Sequence, residues 1–269
     1  MGTKTARFRA LHEGKGFVIA NAWDPGSARM LAGLGFAAIA TSSGAAAGTL
    51  GRLDGNMSRD EALAHAKAIV EAVEVPVSAD FENGFAHEPA DVAKTVELAA
   101  GVGLAGCSIE DAKGHGKSFY PFEEAVARIA AAAKAAKKHD IMLTARAESF
   151  IRGVPDLDEV IRRLTAFEAA GAEVLMAPGL PDLDAVRKVC AALTKPFNFM
   201  VGIPGKSFSV AELQAAGVRR ISLATSLWKA AVGGMVRAAE EVRDRGTFTY
   251  LDTAPGSAVV ARLLGRAPA

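Results

Sequence analysis

The feature that most constrains this chain is a regular alternation between short apolar segments and longer amphipathic ones. Eight apolar segments have the length of strands, and a segment with helical periodicity follows each of them, at a spacing of about 30 residues. The strands are predicted at residues 17–21, 36–41, 77–80, 105–109, 141–145, 173–177, 196–201 and 219–223. Strands that alternate with helices favour a parallel sheet covered by those helices.

Eight such units predict the α/β class and, within it, a (β/α)8 TIM barrel. The alternative is a doubly wound open sheet, but no Gly-x-Gly-x-x-Gly motif follows the first strand, which counts against a dinucleotide-binding fold. No linker interrupts the repeat. We therefore predict a single barrel domain over residues 1–269, with a polar lead-in at 1–15 and a helical tail at 256–269.

Two capping boxes mark helix starts in the predicted barrel. Ser58 is followed by Glu61, and Ser209 by Glu212, at the spacing that lets each side chain bond the backbone N–H of the other. The segment 42–49 is rich in Gly, Ser and Ala, and we predict a loop there. Its small residues would let a ligand approach the backbone N–H groups closely.

Composition excludes several classes of protein. The formal net charge of +1 argues against a nucleic-acid partner, which calls for a basic surface. No apolar run approaches the roughly 20 residues of a membrane span, and the polar N-terminus does not resemble a secretory leader. Cys107 and Cys190 have no metal-binding spacing and are predicted to be buried. We expect a soluble cytoplasmic protein.

Two carboxylates stand where the third predicted strand ends. In an extended segment, residues two apart point to the same side, so Asp80 and Glu82 are expected to point together. Adjacent carboxylates repel unless a cation lies between them, and a hard divalent ion such as Mg²⁺ suits carboxylate oxygens and water. The alternative is a pair of solvated acids in a turn.

The next two strands also end in charged residues. Glu110 and Asp111 close the fourth strand, and Arg146 and Glu148 close the fifth. In a parallel barrel these strand ends converge on the face that carries the active site. Acids that hold a cation, beside an arginine that can hold an anion, indicate an enzyme acting on a small carboxylic acid.

These strand-end segments, taken together, resemble the isocitrate lyase/phosphoenolpyruvate mutase superfamily. The resemblance covers about residues 17–230. The segment 80–84, Asp-Phe-Glu-Asn-Gly, carries its most specific part. Four further segments resemble family segments in the same order, at 41–44 (Thr-Ser-Ser-Gly), 51–54 (Gly-Arg-Leu-Asp), 108–111 (Ser-Ile-Glu-Asp) and 144–148 (Thr-Ala-Arg-Ala-Glu).

The resemblance implies an enzyme that depends on Mg²⁺, or on Mn²⁺ in its place. Such an enzyme makes or breaks a C–C or P–C bond in a small 2-oxo or 2-hydroxy acid through an enolate of pyruvate or a near relative. By the same resemblance, Asp80, Glu82 and Glu110 would hold the metal, some of them through water. The ion would stabilise the enolate as a Lewis acid.

The resemblance also assigns the remaining site residues. Ser43 and Gly44 would hold the substrate carboxylate, and Arg146 would stabilise the developing oxyanion. Asp54 would orient the reacting group or a metal-bound water. Two alternatives stay open: Arg146 as a structural salt bridge to Glu148 or Glu110, and Asp54 as an ordinary turn residue.

Family members of this kind form helix-swapped barrels, in which the last barrel helix packs on a neighbouring subunit. The resemblance therefore implies a homo-oligomer, either a dimer or a tetramer built as a dimer of dimers. The apolar helix predicted at the C-terminus is consistent with that arrangement.

Two departures from the family weaken the assignment of a named reaction. The lyases carry a mobile loop with a catalytic cysteine after the fourth strand, and residues 112–118 contain no cysteine. The phosphonomutases place a histidine at the end of the sixth strand, where this chain has Ala177 and Pro178. His115 lies in the predicted loop and could supply the missing proton, since imidazole titrates near neutrality, or could simply be exposed to solvent.

Trp23 and Asn198 end the first and seventh predicted strands and are further candidates for the pocket lining, although Trp23 could equally pack in the core. Four functions therefore stay open from the sequence. The first is a lyase that cleaves a C–C bond, and the second is phosphonopyruvate mutase or hydrolase chemistry. The third is a catalytically weak barrel that binds a metal and a carboxylate, and the fourth is a phosphate-binding barrel that uses residues 202–205 and 224–225.

Overall fold

The computed structural model describes residues 3–114 and 116–265. Its centre is a closed barrel of eight parallel strands in chain order, with the first strand paired to both the second and the eighth. The strands are β1 (Phe17–Ala22), β2 (Ile39–Thr41), β3 (Val77–Asp80), β4 (Gly106–Glu110), β5 (Met142–Arg146), β6 (Val174–Met176), β7 (Phe197–Met200) and β8 (Arg220–Ser222). The predicted (β/α)8 barrel is confirmed.

Helices connect the strands, as the periodicity predicts. They are α1 (Lys4–Leu11), α2 (Pro25–Gly33), α3 (Ser43–Thr49), α4 (Arg59–Ala72), α5 (Pro89–Gly101), α6 (Phe122–Lys138), α7 (Leu157–Ala169), α8 (Leu183–Ala192), α9 (Val210–Ala215), α10 (Ser226–Arg245) and α11 (Ser257–Leu264). Among the described residues, no helix combines the length and the apolar character needed to cross a bilayer.

The caps of these helices follow from their sequences. Both predicted capping boxes are present, with Ser58 and Glu61 bonded reciprocally at the start of α4 and Ser209 and Glu212 at the start of α9. A cap of this kind stabilises a helix because its first N–H groups have no partner within the helix. Asp24 caps α2 in the same way, through Ser27.

Residues 43–49 of the segment 42–49 form a helix, α3, with Ser42 as its N-cap, and the prediction of a loop there was wrong. Ser42 accepts a hydrogen bond from Ala45 N and so starts the helix, and the three consecutive alanines are strong helix formers and are buried. Gly48 has a packing role, because a Cβ at this position would lie 2.4 Å from the ring of Trp228 at the start of α10. The small residues thus let two helices approach each other.

Within the described residues, the core consists of two apolar clusters. The larger one lies between the strands and the helices and includes the outward-facing side chains of the barrel. The smaller one fills the lower barrel interior and includes Ile19, Met142 and Val174. Phe8 from α1 closes the barrel from below and packs against Gly106, where a Cβ would lie 2.8 Å from the Phe8 ring. The functional end of the barrel is therefore the opposite one.

The C-terminal helices differ in how they pack. The backbone of Leu263 in α11 approaches α2 closely at Gly33, where a Cβ would lie 2.8 Å from the Leu263 carbonyl oxygen. Along α10, by contrast, Glu241 is the one buried residue. Apolar side chains of α10, such as Met235 and Val236, are exposed.

Candidate active site

The carboxyl ends of the strands open into a cavity of ≈ 290 Å³. Six of the residues predicted from the sequence line this cavity: Ser43, Asp54, Asp80, Glu82, Glu110 and Arg146. The rest of its lining comprises Ser42, Glu148, Ile151, Arg152, Met200, Gly202, Ile203, Ala224, Thr225 and Lys229. The structure therefore brings together the acids and the arginine that the sequence places on separate strands.

A smaller cavity of ≈ 70 Å³ lies inside the barrel next to the first. Both are lined by Asp80 and Arg146, which thus stand at the boundary between them. Asn198 is fully buried and lines only the smaller cavity. Trp23 is not among the described residues that line either cavity, and its backbone carbonyl accepts a hydrogen bond from His65.

Asp80 ends β3 with its side chain directed into the barrel. Ser78 and Asp80, two residues apart on the strand, both line the smaller cavity, whereas Phe81, the residue after the strand, is fully buried in the outer core. The Asp80 carboxylate accepts hydrogen bonds at Oδ2 from Ser43 Oγ (3.0 Å) and at Oδ1 from Ser108 Oγ (3.3 Å). These bonds fix the orientation of the carboxylate.

Arg146 ends β5 and forms ion pairs with three carboxylates. Its Nη1 lies 2.8 Å from Asp80 Oδ1, its Nε lies 2.9 Å from Glu148 Oε1, and its Nη2 lies 3.3 Å from Glu110 Oε2. Burial opposes the charge, but the three carboxylates raise the pKa of Arg146 well above its usual value. Arg146 therefore makes the salt bridges considered from the sequence and still lines both cavities.

Glu82 reaches the cavity by a different route from the one predicted. The strand ends at Asp80, and Glu82 lies in the following turn with φ of 49°, a left-handed conformation that is uncommon for a residue with a side chain. The alternation argument for Glu82 was therefore wrong, although Asp80 and Glu82 do line the same cavity. Burial, together with the charges of Asp80 and Asp54, raises the pKa of Glu82 to about 7.

Glu110 is nearly completely buried at the end of β4 and faces two guanidinium groups. Its Oε2 lies near Arg146, and its Oε1 accepts a hydrogen bond from Arg152 Nη2 at 3.0 Å. Burial and the neighbouring Glu148 raise the pKa of Glu110, against the opposing effect of the two arginines. Among the predicted metal ligands, Glu110 is thus the one most fully engaged with cations of the protein itself.

The donor set fits a hard divalent ion held through few protein ligands. Within residues 3–114 and 116–265, no group of three or more His, Cys, Asp or Glu side chains is close enough to hold an ion unaided. However, Glu82 Oε1 is buried with no hydrogen-bond partner among the described residues. Mg²⁺ usually keeps several waters and takes one or two carboxylates, so Asp80 and Glu82 meet its requirements.

The Asp54 side chain occupies the space beside Gly44 that a side chain at that position would need. A Cβ at Gly44 would lie 3.1 Å from the Asp54 Cγ and Oδ2 atoms and 3.2 Å from the Thr225 methyl group. The absence of a side chain at Gly44 therefore lets the 51–54 segment fold over the cavity. Asp54 Oδ1 also accepts a hydrogen bond from Gly55 N, as expected of a turn residue. Asp54 is therefore a turn residue and also lines the cavity.

Backbone strain is concentrated at this site. Among the described residues, four non-glycine positions have a positive φ, and two of them, Glu82 and Ala224, line the cavity. Each such conformation costs of order 1–3 kcal/mol and persists only where the surrounding structure imposes it. The strain at Ala224 could not be inferred from the sequence, because alanine is not a residue that favours this conformation.

The sequence analysis missed two further lining residues with charged side chains, Arg152 and Lys229. Thr225 and Gly202 had been considered only as part of a phosphate-binding loop, and both line this cavity. His115 lies outside the described residues. The flanks of its loop are joined by a hydrogen bond from Lys113 N to Ser118 O of 2.8 Å.

Comparison with known proteins identifies a matching protein family and several relatives. The family described as phosphoenolpyruvate phosphomutase matches residues 8–243. The 2-methylisocitrate lyase of Escherichia coli K12 is 34% identical over 228 residues, which is 79% of this chain and 75% of that protein.

Solved structures agree with this match. A lyase/mutase candidate from Burkholderia cenocepacia J2315 has a TM-score of 0.94 at 44% identity and covers 98% of this chain and 96% of its own. A 2,3-dimethylmalate lyase has a TM-score of 0.86 at 29% identity and covers 98% of this chain and 95% of its own.

A closed parallel barrel that brings carboxylates and an arginine together at the carboxyl ends of its strands is typical of barrel enzymes, whose active sites lie at that end. Within that class, the chain belongs to the isocitrate lyase/phosphoenolpyruvate mutase superfamily, a superfamily of lyases and mutases. The resemblance inferred from the strand-end segments is confirmed.

Proposed function

We propose that this protein is a Mg²⁺-dependent lyase that cleaves a C–C bond in a small 2-oxo or 2-hydroxy carboxylic acid through an enolpyruvate-like intermediate. The observation that carries the proposal is the pairing of two features in one cavity. A carboxylate oxygen of Glu82 has no partner among the described residues, and the Arg146 guanidinium stands beside Asp80 in the same cavity. A cation and an anion can thus bind side by side.

Asp80 and Glu82 would hold the metal, with Glu110 and Asp54 contributing through water. When bound, the ion would supply Lewis-acid stabilisation of negative charge on the substrate's oxygens. Before the metal binds, Asp80 is oriented by Ser43, Ser108 and Arg146.

Besides the metal ligands, three groups of the protein would act on the substrate directly. Arg146 would stabilise the oxyanion that develops as the C–C bond breaks, because its position is fixed by three carboxylates and its environment is largely dry. The backbone N–H groups at Ser43 and Gly44 would hold the substrate carboxylate. Asp54, which folds over Gly44, would orient the reacting group.

Oxalate binding would test the enolate site, since oxalate mimics the enolate of pyruvate. We expect oxalate to bind only in the presence of Mg²⁺, measured by calorimetry, and Glu82→Gln to abolish that binding. Glu71→Gln is a suitable control, because Glu71 is an exposed residue of α4 far from the cavity. Oxalate binding that is unaffected by Mg²⁺ would contradict the metal assignment.

A substrate panel would then test the bond that is cleaved. Release of pyruvate or glyoxylate from 2-hydroxy and 3-carboxy acids would support C–C cleavage. Turnover of phosphono acids instead would support phosphonopyruvate chemistry. Metal-dependent oxalate binding without turnover of any compound would favour a barrel that only binds its ligand.

We further propose that the chain forms a homo-oligomer in which α10, the last helix of the barrel, packs on a neighbouring subunit. The exposed apolar residues Met235, Val236, Phe248 and Leu251 on and after α10 support this proposal, since large exposed apolar patches mark interaction surfaces. Light scattering coupled to size exclusion would give the mass of the particle. A monomer at micromolar concentration would contradict the proposal.

A further inference from the structure

Arg220 on β8 is a buried cation inside the barrel, below the cavity of the candidate active site. It is 5% exposed. Its Nε donates to Asn198 Oδ1 at 2.8 Å, and its Nη2 donates to Thr144 Oγ1 at 2.8 Å. Its Nη1 has no acceptor among the described residues. Both acceptors of the guanidinium are neutral.

The charges around Arg220 do not compensate it. Arg146 lies on the cavity side and repels it, and burial together with this repulsion lowers the pKa of Arg220 to about 9. Below it, the Phe8 ring lies 5.9 Å from Cζ, and His12 is held neutral by burial. Asp80 is the one carboxylate lining the smaller cavity among the described residues, and its two oxygens already bond Arg146 and Ser43.

A buried charge normally has a partner, because transfer of an isolated ion out of water costs several kcal/mol even after relaxation. Arg220 therefore has an unmet requirement for negative charge. A water molecule could accept from Nη1, but it would not supply that charge.

The smaller cavity offers space and donors for an anion. Its volume is ≈ 70 Å³, and roughly 10–15 Å³ of such space holds one water molecule. Arg220 and Ser222 both line it. The Ser222 hydroxyl accepts from Asn198 Nδ2 at 3.0 Å, which leaves its own proton to donate. Hydroxyls of Ser78 and Thr41 also line the cavity.

We propose that this cavity is a binding site for one small monovalent anion, of halide or formate size, held by Arg220 Nη1 and the Ser222 hydroxyl. The anion would compensate Arg220 and reduce its repulsion of Arg146. The site lies next to the proposed substrate position and shares Asp80 and Arg146 with it, and its test requires neither substrate nor turnover.

Thermal unfolding would detect the anion in solution. At constant ionic strength, replacing gluconate, which is too large for the cavity, by chloride or bromide should raise Tm with saturation. Arg220→Met should lose this rise. Arg219→Met is the matched control, because Arg219 precedes β8, does not line the cavity and bonds the Gly217 carbonyl, and it should keep the rise. A Tm that follows ionic strength alone would overturn the proposal.

Anomalous diffraction from bromide-soaked crystals of the unmodified protein tests whether an anion binds at Arg220. This test does not depend on the folding of Arg220→Met. We expect a bromide peak within about 3.5 Å of Arg220 Nη1. The absence of a peak there at saturating bromide would overturn the site. A bromide that persists with oxalate bound would support a separate anion site, whereas displacement by oxalate would assign Arg220 to the substrate instead.

Discussion

Arg146 Nη1 on β5 donates to Asp80 Oδ1 on β3, 2.8 Å away, so the guanidinium reaches past the intervening strand β4. The same guanidinium pairs with Glu110 and Glu148. One side chain therefore compensates carboxylates from three successive parts of the barrel. The candidate active site and the stability of the barrel end are coupled through it.

Arg146→Gln should be costly for both activity and folding. The change leaves buried Asp80, Glu110 and Glu148 without their shared cation, and breaking a buried ion pair in this way costs about 3–5 kcal/mol of unfolding free energy. Loss of a preorganised donor should lower kcat by roughly 10²–10³. Urea unfolding and steady-state kinetics measure the two effects.

Arg187→Gln is the matched control, because Arg187 makes an exposed ion pair with Asp184 on α8. Exposed pairs contribute roughly 0–1 kcal/mol, so this variant should unfold almost as the parent does. Equal losses of stability in the two variants would contradict the role assigned to Arg146.

Gly44→Ala should weaken substrate binding while the fold persists. The added methyl group would lie 3.1 Å from the Asp54 carboxylate, and the exposed 51–54 segment can move away to relieve the contact. A shift of about 1 Å in a positioning group can reduce activity about 100-fold. Kinetics and thermal unfolding separate the two effects, and Gly234→Ala in α10 is the control, since a Cβ there contacts nothing. An unchanged KM and kcat in Gly44→Ala would contradict the expectation that the close fit between Gly44 and Asp54 positions a group in the reaction.

The barrel could be predicted from the sequence because its signal is repetitive. Each buried strand is a short apolar run, and each helix carries its own start signal, such as the capping box of Ser58 and Glu61. The segment 42–49 was misassigned because Gly and Ser are more frequent in loops. The contact of Gly48 with Trp228, which requires a small residue in the helix, joins residues far apart in sequence and becomes visible only in three dimensions.

The candidate site was predictable to the extent that it lies on strand ends. Asp80 and Arg146 follow from strand position alone, since the carboxyl ends of parallel strands converge. Arg152 lies in the loop after β5, and Lys229 lies in α10. The path of the chain after each strand decides whether such residues reach the cavity, and the sequence pattern does not reveal that path. Arg220 was part of a predicted strand, but its charge gave no sign of the partners it finds inside the barrel.

Glu82 should make the metal-free protein less stable as pH rises. Its pKa is raised to about 7 in the fold, from an ordinary value of 4.5, through burial and the charges of Asp80 and Asp54. The folded state thus binds the proton more tightly, so the contribution of Glu82 is fully present below pH 4.5 and is lost as pH approaches 7. In EDTA, unfolding free energy should fall across this range, by roughly 1–3 kcal/mol after allowance for solvent at this half-buried group.

Glu82→Gln should flatten that pH dependence, because the amide does not titrate, and the metal-free variant should be more stable than the parent at pH 8. Glu71→Gln, at an exposed position on α4, should keep the slope of the parent. If Glu82→Gln were less stable than the parent at pH 8, the burial of an unsatisfied carboxylate would not be the dominant effect.

His12 should make the protein sensitive to acid. Its Nδ1 lies 2.8 Å from the Phe8 carbonyl oxygen, which can only accept, so Nδ1 carries the proton and Nε2 is unprotonated. Nε2 is buried without a partner among the described residues, and the ring packs edge-on against Phe8 and Phe17. Burial, with a smaller contribution from the Arg220 charge, lowers the pKa of His12 from 6.5 to about 3.

The unfolded chain therefore binds a proton at His12 below pH 6.5, whereas the folded protein does not until about pH 3. Stability from this group is complete above pH 6.5 and declines as pH falls toward 3, by roughly 2–5 kcal/mol in total. His12→Leu should be less stable than the parent at pH 7.5, because the bond to Phe8 is lost, but should lose less stability between pH 6.5 and 4. Denaturant unfolding at a series of pH values measures both. Parallel declines in the parent and the variant would show that other groups cause the acid sensitivity.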